Sequence, residues 1–123
     1  MIAFPWSLVR DRVVDAAEHA GAKCIFKQLE GKAYRKALGQ KLVEAAHEIY
    51  ASRVQWQRED AIADLLDVLD AYQLAHLVRP IEIAAVRKRK ATLRGGFSLG
   101  IKLFCIIGEY AYGDRKALHR KSN

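Results

Sequence analysis

The sequence predicts a mainly all-α fold, a helical bundle in one domain spanning 1–123, and three observations predict it. Apolar residues recur at helical spacing over long stretches. The breaks between stretches fall at glycine or proline. Only two short segments, Cys24–Leu29 and Phe97–Ile107, carry a pattern that suits extended chain. At 123 residues, 51% of them hydrophobic, the chain is long enough for one continuous core and too short for two.

The elements follow in order. A short helix is expected from about Arg10 to Ala20, stopped by Gly21. Cys24–Leu29, with Ile25 and Phe26, reads as a short extended segment. From Lys32 to Ser52, Leu38, Leu42, Ala45, Ala46 and Ile49 form one face of an amphipathic helix, weakened at Gly39. A connection containing Trp56 leads to a third helix from about Arg58 to Val78. Pro80 ends it and suits the first turn of a fourth, which runs to about Leu93 before Gly95-Gly96 break it. Phe97 to Tyr110 reads equally as strand or helix, and its alternation would let it pair with the Cys24 segment. Asp114–Lys121 is expected to form a last exposed helix within a basic C-terminal tail.

Composition narrows the function. Met1–Trp6 is apolar but short and lacks a basic flank, which argues against a secretory signal or anchor. Gly100–Ile107 is far too short to span a bilayer and is interrupted by Lys102. Cys24 and Cys105 have no metal-binding spacing, so zinc is not expected, the thiols are expected reduced, and a cytoplasmic location follows. The net charge of +7 gathers in two clusters, Arg87 to Arg94 and Arg115 to Lys121, which attract phosphates on a nucleotide or a nucleic acid. The second reads as a solubilising tail. Charge alone suggests a nucleic-acid-binding protein, but no recognition motif accompanies it.

The third helix holds the most informative pattern. Asp60, Asp64 and Asp67 share one stripe that continues through Ala71, Leu74, Ala75 and Val78, while Ile62, Leu65, Leu66 and Leu69 cover the other side. A helix apolar nearly all round is expected to be buried, and buried aspartates need partners. Basic side chains or a divalent cation would serve. Glu44 and Glu48 stand one turn apart on the second helix, with Lys41 placed to pair with Glu44. Antiparallel packing would bring Glu44, Glu48, Asp60, Asp64 and Asp67 to one cleft suited to Mg2+, which takes oxygen ligands and bridges carboxylates to phosphates. No nucleophile elbow, Walker A loop or dinucleotide fingerprint is present.

Four pieces together resemble one branch of the MazG-like superfamily, relatives of phosphoribosyl-ATP pyrophosphohydrolase. They are Leu8-Val9-Arg10-Asp11-Arg12, Lys41-Leu42-Val43-Glu44, Asp64-Leu65-Leu66-Asp67-Val68-Leu69, and Lys90 followed by Arg94-Gly95-Gly96-Phe97. The resemblance implies an all-α, Mg2+-dependent hydrolase that cleaves a nucleoside triphosphate to monophosphate and pyrophosphate. It implies metal ligands at Glu48 and Asp64, with Glu44 matching the motif and Asp60 and Asp67 as nearby acids. It also implies that Lys90 and Arg94 approach substrate phosphates, and Lys41 is taken with them as a substrate-binding candidate. The family's EExxE and ExxD patterns are incomplete here, since Ala45 and Ala61 stand where glutamates are expected, and Val14 stands where proline is usual. A weakened relative that binds a nucleotide or serves as an interaction module is the alternative reading. The long helices have more apolar surface than a small monomer can cover, so a homodimer or higher oligomer is expected. Trp56 and His47 are assigned no role.

Overall fold

The computed structural model describes residues 7–108, and every regular element among them is an α-helix. They are α1 (Val13–His19), α2 (Gly31–Ala51), α3 (Gln55–Ala75) and α4 (Pro80–Arg94). The chain divides after Arg87 into two units, and α4 begins in the first and ends in the second. The expected C-terminal helix, Asp114–Lys121, and the tail around it lie outside the described residues. No described helix is long and apolar enough to cross a membrane.

In the first unit, α2 and α3 pack on each other as an antiparallel hairpin. Each has 21 residues, about 31 Å at the usual rise, and only residues 52–54 join them. So short a link leaves the second helix little choice but to fold back along the first. Ser52 ends α2 by donating its Oγ to the Glu48 carbonyl at 2.8 Å. The Gln57 Oε1 then accepts from the Arg53 backbone N–H at 3.0 Å and opens α3. With that bond α3 starts three residues earlier than the sequence suggests, so Trp56 sits in its first turn rather than in a connecting loop.

The C-terminal ends of α1 and α3 close in the same way. Behind α1, Gly21 takes φ +98°, with Ala22 N–H bonded to the Ala17 carbonyl and Gly21 N–H to the Glu18 carbonyl. Behind α3, Leu77 takes φ +58°, with Val78 N–H bonded to Gln73 and Leu77 N–H to Leu74. Both are Schellman closures. The first was announced by glycine; the second uses leucine, a residue that pays a steric penalty there and gives no stop signal. This is why α3 ends at Ala75 and not near Val78. Pro80 opens α4 as expected.

The core is small. Among the described residues only Ala37, Leu38, Ala45 and Ala61 are buried, and Leu38 is the sole large side chain of the four. The expectation that α3 is buried on all sides is corrected here: Ala61 is its one buried residue, and Ile62, Leu66 and Leu74 are exposed. Among the described residues the substantial helix–helix packing of α3 is against α2, which leaves several of its apolar side chains exposed. The expected extended segments are also corrected. Cys24–Leu29 and Phe97–Ile107 are irregular, with no strand ladder in either, and Ile25 and Phe97 are fully exposed. Alternation alone does not make a strand; each needs an edge to pair with.

Candidate functional site

Three carboxylates of the hairpin, Glu44, Asp64 and Asp67, are held by cations that belong to the chain. Residues 7–10 run without helical structure before α1 and cross both long helices. On α3, Asp64 and Asp67 lie one turn apart, and Arg10 Nη2 reaches both, at 2.7 Å to Asp64 Oδ1 and 2.9 Å to Asp67 Oδ2. One guanidinium nitrogen has two hydrogens, one for each carboxylate. Hydrogen bonding to Asp64, then to Asp67, raises the Arg10 pKa above its ordinary value.

On α2, Glu44 is engaged in a closed triangle. Lys41 Nζ lies 3.1 Å from Glu44 Oε1 and 3.2 Å from Ser7 Oγ, while the Ser7 hydroxyl donates to Glu44 Oε2 at 2.9 Å. The Lys41–Glu44 pair, one helical turn apart and half-buried, is the one expected from the sequence. Ser7 is its unannounced third member.

The remaining predicted ligands stand apart from these networks. Glu48 and Asp60 are exposed near the closed end of the hairpin. Among the described residues, no three His, Cys, Asp or Glu side chains come together so that they could hold a metal ion. The donor set therefore does not fit Mg2+ as the sequence led us to expect. Two further residues explain the misfit. Ala45 and Ala61, where the resemblance calls for glutamates, are 2% and 5% exposed. Each lies eight residues from Arg53 in the connection, so the two stand at one level of the antiparallel pair. Both positions are therefore closed to solvent.

In the second unit, Lys90 and Arg94 are exposed and one turn apart at the end of α4. Gly95, at φ +76°, closes the helix with its N–H on the Ala91 carbonyl at 2.9 Å. Arg94, in the last turn, thus also complements the negative end of the helix dipole. His47 and Trp56 are exposed.

Sequence reasoning identified the acids and left their partner open between basic side chains and a divalent ion. It did not single out Arg10 or Ser7. The signal for Arg10 was indirect: a stripe of aspartates demands a cation, and Arg10 precedes a short helix that could return it to the hairpin. Ser7 carried no signal. Comparison of the chain with protein-family models, curated proteins and solved structures yields no match.

Proposed function

We propose that this chain is a catalytically weakened relative of the MazG-like pyrophosphohydrolases, a helical module that binds a nucleoside triphosphate without turning it over efficiently. The observation that carries the reading is the burial of Ala45 and Ala61 at one level of the α2–α3 seam. A fold that retains Glu44, Glu48 and Asp64 but buries alanines at the two other motif positions keeps the architecture better than the chemistry. The cationic end of α4, with Lys90, Arg94 and the glycine pair, supports the phosphate-binding half of the proposal. Such a ligand suits a cytoplasmic protein.

The test is a panel of nucleoside triphosphates presented with and without Mg2+, followed by both binding and pyrophosphate release. The expected result is saturable triphosphate binding with pyrophosphate release near the uncatalysed rate. Mg2+-dependent release at an enzymatic rate would replace this reading with the full hydrolase, its ion held by Glu44, Glu48, Asp60, Asp64 and Asp67. Binding of nucleic acid but of no nucleotide would replace it with a basic nucleic-acid-binding protein.

The same proposal includes a second copy of the chain. Val43 and Tyr50 on α2 and Leu66 and Leu74 on α3 are more than half exposed, beside a core of three alanines and one leucine. So small a core supplies little stability by itself, and burial of these side chains between copies would add about 1.5–3 kcal/mol for each large one fully covered. Light scattering at micromolar concentration is expected to report a dimer or larger species. A stably folded monomer at that concentration would remove this part of the proposal.

A further inference from the structure

We infer that the segment 7–10 is a strap that does, with the chain's own cations, the charge-neutralising and helix-bridging work a divalent ion would otherwise do at these carboxylates. The inference rests on the preceding reading only in taking Glu44 and Asp64 as metal-type positions.

Three features carry it. Arg10 and Ser7, three residues apart, reach different helices: Arg10 holds Asp64 and Asp67 of α3, and Ser7 holds Glu44 of α2. Lys41 supplies the second cation on the α2 side. The segment therefore ties the two helices through polar bonds, at a place where the packed seam is mostly alanine. A single exposed ion pair contributes little, because water and salt screen it. Here one guanidinium serves two carboxylates and a linked triangle serves the third, which is a network anchored on both helices. Arg10 already occupies Asp64 Oδ1 and Asp67 Oδ2, so a metal shared between the two aspartates would have to compete with its guanidinium. The fold as it stands needs no metal to satisfy them.

Thermal unfolding of the full chain tests this, in EDTA, in MgCl2 and in NaCl of matched ionic strength. The proteins are the natural chain, Arg10→Met, Asp64→Asn with Asp67→Asn, and all three changes together. Methionine keeps much of the apolar stem and removes the fork. The expected result is one melting midpoint for the natural chain in all three solutions. Arg10→Met is expected to lower that midpoint, and the drop is expected to vanish in the Asn/Asn background, because the two changes break the same bonds. A midpoint for the natural chain that rises in MgCl2 above matched NaCl would overturn the inference and leave the metal reading standing. An equal drop from Arg10→Met in both backgrounds would overturn it too, since Arg10 would then act elsewhere. If Arg10→Met is too unstable to purify, Arg10→Lys serves in the same cycle, keeping the charge without the two-carboxylate geometry. None of these melts depends on nucleotide binding, so the strap and the proposed function fail separately.

Discussion

Changing Ala45 and Ala61 to glutamate together is expected to unfold the chain, even though it restores the acidic pattern that the MazG-like resemblance calls for. Both positions are almost wholly enclosed and stand at one level of the α2–α3 pair. Each glutamate would add atoms to a closed seam, and overpacking of that kind costs about 1–3 kcal/mol. Each would also place a carboxylate away from water and without a prepared partner, for which the penalty of an uncompensated buried charge is about 3–5 kcal/mol. The total rivals the whole stability of a small domain, about 5–15 kcal/mol. Circular dichroism of the double variant at neutral pH is expected to show lost helix. Acid should restore part of it. A buried carboxyl has a folded-state pKa above its unfolded value, so the deficit is small below the unfolded pKa and grows as pH rises towards the folded one. A double variant that folds at neutral pH and is stabilised by millimolar Mg2+ would show that the seam opens into a metal site, contrary to the packing described above.

Leu38→Ala is expected to be the most damaging single truncation. Leu38 is 3% exposed and is the only large side chain among the buried residues of the described 7–108. Truncating a buried leucine costs about 2–5 kcal/mol, more where the surroundings cannot collapse into the space. Its buried companions are alanines, which have no length with which to fill the void. Chemical denaturation should show a lower midpoint than any exposed apolar truncation, such as Val43→Ala, measured in the same solution. Equal midpoints for Leu38→Ala and Val43→Ala would mean that the packing around Leu38 contributes no more than an exposed face does.

Much of the fold was legible from the sequence because its signals are local. The period of α2, the proline before α4 and the glycine after α1 each act within a few residues, and each element appears where those signals put it. The misplaced boundaries have equally local but silent causes. Gln57 reaching back to Arg53 starts α3 early, and a left-handed leucine at Leu77 ends it early; neither residue is a customary marker. The candidate site was legible in its acids and not in its cations. The i, i+3 spacing of Lys41 and Glu44 announces their pair, whereas Arg10 meets Asp64 across 54 positions, a partnership that periodicity does not encode. Burial of α3 was overestimated because hydrophobic content shows which residues prefer an interior, and not whether one chain supplies enough surface to make one.

The exposed stretch from Phe97 to Ile107 bears on how this protein behaves in a crowded solution. Leu103-Phe104-Cys105-Ile106-Ile107 is an uncharged, proline-free run of β-prone residues, and none of it is buried or already committed to a ladder. That is the composition of a segment able to template its own stacking between molecules. Lys102, at its edge, is the one gatekeeper charge between Gly95 and Gly108, and its ammonium lies 5.6 Å from the centre of the Phe104 ring. Loss of the Lys102 charge is therefore expected to raise the aggregation tendency of this stretch, which dye-binding fluorescence of Lys102→Ala against the natural chain would measure.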